Sequence, residues 1–116
     1  MKNAKEKFVE LCLKLDEADK ATNARKYNQA ARLLIKVDTY LGENREDASF
    51  LVELLMHENA SVRGHAAVRC FDWGINPKQA VAVIEKVYKE ATSGNLRIGM
   101  GIKLDIISGR LAHLLP

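Results

Sequence analysis

His57-Glu-Asn-Ala-Ser-Val-Arg-Gly-His-Ala-Ala-Val-Arg-Cys70 is the stretch on which the fold turns. It opens on a polar turn, offers Ser61 as a helix cap, and then places Val62, Ala66, Ala67 and Cys70 on one helical face. Alanine at both 66 and 67 keeps that face low, so that a neighbouring helix can approach closely. Arg63 is the oddity. At about 100° per residue it falls inside the apolar arc, which assigns it to structure before function. This helix is expected from Val62 to about Trp73, with Gly74 as its stop.

The same reading extends in both directions. Asn76-Pro77 restarts the chain, with Asn as cap and Pro at the first helical position, where its missing N–H is harmless. Ala80, Val83, Ile84, Val87 and Ala91 form the stripe of that fifth helix. A sixth, near 96–114, offers Leu96, Met100, Leu104, Ile107 and Leu111, with Gly99, Gly101 and Gly109 each costing up to about 1 kcal/mol against Ala or else admitting a neighbouring helix. Upstream, a third helix near 46–57 buries Ala48, Leu51, Val52 and Leu55. The second begins after Thr22 or Asn23, carries Ala24, Tyr27, Ala31, Leu34 and Leu41, and ends at Gly42. The first, near 3–20, carries Ala4, Phe8, Leu11, Cys12 and Leu15. No strand pattern intervenes. Short connections fold such helices into antiparallel hairpins. The expected fold is therefore all-α, a single domain over 1–116 with three hairpins stacked as a short right-handed superhelix.

Resemblance to known families rests on these residues. The 57–70 segment resembles the HEAT-repeat signature: a polar turn, Val62-Arg63, the Ala66-Ala67 pair, then larger apolar residues. That likeness implies that Arg63 pairs with turn acceptors, here Glu58 or Asn59. The chain also resembles a bacterial family of small HEAT-like helical proteins of unknown function. The likeness covers about residues 20–111, by way of Asn28-Gln-Ala-Ala-Arg-Leu-Leu34, the Val62–Ala67 core, the Pro77–Val87 helix and Leu104-Asp-Ile-Ile-Ser-Gly-Arg-Leu111. Ile107 stands where that last motif commonly has Trp. The resemblance implies a fold and brings no catalytic residues with it.

Composition narrows the function classes. At 116 residues, with 47% hydrophobic and 28% charged residues, the chain can bury roughly two-thirds of its unfolded surface and form one core. No apolar run reaches the length of a membrane span. The amino-terminal run does not read as a secretory signal, so a cytoplasmic location is expected. Cys12 and Cys70 lie within apolar helical patterns and are expected as buried free thiols. His57, His65 and His113 have no ligand-spaced partners, so neither a metal nor a cofactor is expected. Nucleophile elbow, phosphate loop and zinc-protease motifs are all missing, and the chain is read as a non-enzyme.

Net charge is +3, unevenly spread: residues 1–45 carry +3 and residues 46–60 carry −4. The acidic block (Glu46, Asp47, Glu53, Glu58) reads as a solvated helix start or as a patch for a basic partner. Asp16, Glu17 and Asp19, at the unfavourable end of the first helix, read as a solvated network offset by Lys20, Arg25 and Lys26. Helix-four residues His65 and Arg69, with Arg32, Lys103 and Arg110, are the candidates for a basic concave groove. Trp73 is either a partner anchor at its rim or a packing residue over Pro77 and the next helix. The leading expectation is a protein-binding module of immunity or antitoxin type, directed at a toxin. Nucleic-acid binding through the groove is the alternative, and a self-assembling scaffold the third reading. The chain is expected as a monomer or weak homodimer.

Overall fold

A computed structural model describes residues 3–91 and 94–109. Every regular element among them is helical: α1 (Ala4–Lys20), α2 (Ala24–Glu43), a 3₁₀ turn (Arg45–Ala48), α3 (Phe50–Leu54), α4 (Ala60–Asp72), α5 (Pro77–Glu90) and α6 (Gly94–Ile107). The all-α reading is thus observed. α1 packs chiefly on α2, and α4 on α5, while α4 also touches α1, α3 and α6. α4 is the central helix because its residues are small. Ser61, Val62, Gly64, Ala66, Ala67 and Cys70 are all buried, so neighbours close in on it from several sides. α1 also reaches α6 directly.

Local chemistry explains the boundaries. The Asn23 side chain accepts from Lys26 N–H at 3.0 Å and starts α2, while Thr22 takes the left-handed turn position at φ 54°. Asn59, rather than Ser61, caps α4 by accepting from Val62 N–H at 3.1 Å. Ser61 is drawn inward instead, donating to the Cys12 carbonyl at 2.9 Å and tying α4 to α1. Pro77 opens α5 as expected, but Asn76 makes no side-chain cap; it adopts a left-handed backbone at φ 46°. α2 passes through Gly42 to Glu43, so that glycine is no terminator. Ala24, assigned to its buried stripe, is exposed; the buried face is Ala30, Leu34, Val37 and Leu41.

The third expected helix divides into the 3₁₀ turn and α3. Its buried residues are Ala48, Leu51, Leu54 and Leu55, whereas Val52, expected among them, is only half-buried. The step of three from Ala48 to Leu51 follows the tighter turn, and Leu51, Leu54 and Leu55 the α-helical face. The core gathers Phe8, Leu11, Leu41, Leu51, Leu55 and Ile84 with almost no exposure. Burying each such side chain stabilises the fold by about 1.5–3 kcal/mol. Phe8 and Phe50 meet edge to face, their ring centroids 6.0 Å apart. Gly101 does admit a neighbour: a Cβ there would lie 2.9 Å from Tyr88 Cε1, whereas Gly99 faces open space. Both cysteines are buried and free.

Candidate functional site

Arg63 behaves as a structural residue. Its guanidinium donates to the carbonyls of His57 (3.2 Å) and Glu58 (3.4 Å) and to Glu90 Oε2 on α5 (2.5 Å). Glu58 therefore serves through its backbone, while the Asn59 side chain is occupied with capping. Val62, Ala66 and Ala67 are fully buried, as their spacing requires.

The acidic run at the end of α1 is more than a solvated network. Asp19 accepts from the N–H groups of Asn95 (3.1 Å) and Leu96 (3.4 Å) at the start of α6. Asp16 pairs with Lys20 at 3.0 Å and accepts from Asn59 at the start of α4. Carboxylates disfavoured at their own helix C-terminus are thus placed against the positive N-termini of two other helices. Gly94 makes the approach of Asp19 feasible: it has φ 84°, and a Cβ would lie 2.6 Å from Asp19 Oδ2. In the acidic block, Glu53 pairs with Lys5 at 2.8 Å, and Asp47 accepts from the Tyr40 hydroxyl at 2.5 Å.

Three of the groove candidates do gather along α4, but they do not form a basic surface. Arg69 reaches Asp38 on α2 at 2.5 Å, with both side chains mostly buried. Lys103 of α6 pairs with Asp72 of α4 and lies over the Phe71 ring. Asp72 also attracts Arg69. The result is an alternating row, Asp38–Arg69–Asp72–Lys103, that clips α2, α4 and α6 together with no net charge. His65 is half-buried beside this row and lines a small cleft. Burial pushes its pKa down to about 4, with Arg69 acting in the same direction and Asp38 against it. It is a neutral packing residue at neutral pH. Trp73 is half-buried; the Arg45 guanidinium lies 4.5 Å above its ring, and Gly42 presents its open side to the ring edge. Its partners stand at the end of α2, while Pro77 is exposed. Arg110 lies outside the described residues.

Arg32 is separated from this row. It is six residues from Asp38, about 120° around α2, and it is exposed. There it joins residues that the groove hypothesis did not include. Arg25, Gln29, Arg32 and Lys36, spaced four, three and four apart, form one outward ridge opposite the buried Leu34. Lys26 lies beside it. Ile35, 61% exposed, and Leu33, 40% exposed, flank the ridge on either side. None of the four cations forms an ion pair with a described residue. Two of them, Arg25 and Lys26, occupy the first turn of α2, which has no acidic residue. Cations there oppose the helix dipole. Between α2 and α1 runs a cleft of about 380 Å³, floored by the buried Ala18 and Ala30, with Ala21 and Leu33 at its sides.

Among the described residues, no group of three or more His, Cys, Asp or Glu side chains converges to hold a metal, and no helix is long and apolar enough to cross a membrane. Comparison with protein-family models, curated proteins and solved structures finds no match to this chain.

Proposed function

We propose that this chain is a non-enzymatic protein-binding module on a HEAT-like stack of helical hairpins, most concretely a bacterial, cytoplasmic immunity or antitoxin-type protein that neutralises a cognate toxin by stoichiometric binding. The observation that carries the reading is the outward ridge of α2. Its cations form no ion pair among the described residues and sit partly where the helix dipole disfavours them, while aliphatic side chains stand exposed beside them. No ion pair among the described residues repays that arrangement, whereas an acidic partner surface with an apolar centre would. Complementary charge would speed the encounter, and Leu33 and Ile35 would slow dissociation.

Nucleic-acid binding remains the second reading, now carried by the ridge instead of the concave groove, since Arg69 and Lys103 are already neutralised. A tagged pulldown from the native host, at low and high salt, separates the two. The expected result is one stoichiometric protein that survives high salt and is lost with the Arg25→Glu/Arg32→Glu/Lys36→Glu variant. Nucleic acid recovered only at low salt would overturn the protein-binding reading. Recovery of the same protein by the triple variant would remove the ridge from it. Recovery of the chain alone would favour self-assembly.

A further inference from the structure

We infer that the cleft between α1 and α2 receives an aliphatic side chain from an acidic segment of the partner polypeptide. The inference rests on the protein-binding reading and specifies the partner's chemistry. The cleft floor is the buried Ala18 and Ala30, the exposed Ala21 lies at its rim, and Leu33 stands as a partly exposed wall. Its volume of about 380 Å³ lies at the lower end of ligand-pocket sizes, roughly 300–1,000 Å³, and suits a leucine or isoleucine with its flanking backbone.

Charge selects the segment. On the α2 side the rim holds Lys26, and the ridge of Arg25, Arg32 and Lys36 runs along the same helix, all without ion-pair partners among the described residues. Lys14 is paired with Glu10, and Glu17 is the carboxylate lining the cleft. A segment carrying carboxylates on the side that meets α2 satisfies several cations at once, while an apolar side chain drops onto the alanine floor. The lining has no aromatic side chain on which a nucleobase could stack, which favours polypeptide over single-stranded nucleic acid.

The test is selection from a random twelve-residue peptide display library against the purified protein, followed by affinity measurement with the enriched synthetic peptide. Expected winners carry a single Leu or Ile flanked by Asp or Glu. Replacing that residue by Ser should weaken binding by about tenfold, the scale of one buried aliphatic anchor. Ala21→Trp, at an exposed position, fills the cleft and should cost at least as much; Lys26→Glu should weaken binding and reduce its salt dependence. Selection of basic or purely polar peptides, no enrichment at all, or full affinity in the Ala21→Trp variant would each overturn the inference. The host pulldown keeps the two proposals distinguishable. A protein partner lost with the ridge variant but bound normally by Ala21→Trp leaves the protein-binding reading standing and removes the cleft from it.

Discussion

α2 carries charge on two of its sides, and the two sides have opposite fates. Asp38 faces α4, meets Arg69, and belongs to the alternating row that ends at Lys103. Arg25, Arg32 and Lys36 face outward and meet no described partner. Residue type does not separate the two groups, since each holds ordinary charged side chains on the same helix. The difference is desolvation: a charge removed from water must be answered within the fold, whereas an exposed charge need not be. Charges in the row therefore contribute to architecture, and charges on the ridge are available to something else.

The sharpest way to break this contrast is at Asp38. Asp38→Ala leaves Arg69 without its carboxylate, with three-quarters of its side chain out of water. The expected loss is about 2–4 kcal/mol, below the full buried-pair range because Arg69 keeps some solvent contact. Asp38→Leu with Arg69→Met, which removes both charges, should lose less than the single change. Urea denaturation of the three proteins checks this, and a double variant weaker than Asp38→Ala would show that the pair itself holds the helices together.

His65 tests the same interior by pH. Its folded pKa, near 4, lies below the ordinary 6.5, so between those values the unfolded chain binds more protons. Stability should then rise from pH 4 to pH 6.5 and level off above, with a total gain of about 3 kcal/mol. The charged groups that bear on the ring are Arg69 of its own helix and Asp38 of α2, while Asp16, Asp19 and Tyr27 line the small cleft beside it. In the His65→Gln variant the slope across this window should flatten. An unchanged slope would place the proton elsewhere.

A smaller effect is expected at Asp19. Asp19→Ala removes the acceptor at the start of α6 and should cost about 1 kcal/mol, the usual worth of a helix cap. The readout is local: faster amide hydrogen exchange at Asn95 and Leu96, with little change in α2.

These residues also mark where sequence reading stopped. The helices were legible because burial imposes the 3.6-residue period, and because Asn23, Gly74 and Pro77 act within a turn or two of themselves. The small face of Ala66 and Ala67 was legible for the same reason. Asp19 was not, since its partners lie 76 and 77 positions away and periodicity carries no information about which helix end will arrive there. Arg69 and Lys103 looked like free cations until the packing brought Asp38 and Asp72 to them. The α2 ridge is a different case. Arg25, Arg32 and Lys36 fall on one face by spacing alone, but summing charge over segments conceals a stripe that resolving charge by helical angle reveals.

That stripe gives the smallest expected change in stability and the clearest separation of the two sides of α2. Arg32 and Lys36 are like charges four residues apart, a pairing that costs a helix about 0.2–0.5 kcal/mol. Arg32→Glu converts it to an attractive pair in the favoured order, acid before base, so the folded protein should be unchanged or more stable by up to about 1 kcal/mol. The same substitution reverses charge at the centre of the ridge and should weaken partner capture. Gaining stability while losing binding is the signature of a residue kept for contact rather than for folding. If Arg32→Glu instead destabilised the protein as Asp38→Ala is expected to, the ridge would belong to the architecture and the contrast between the two sides would collapse.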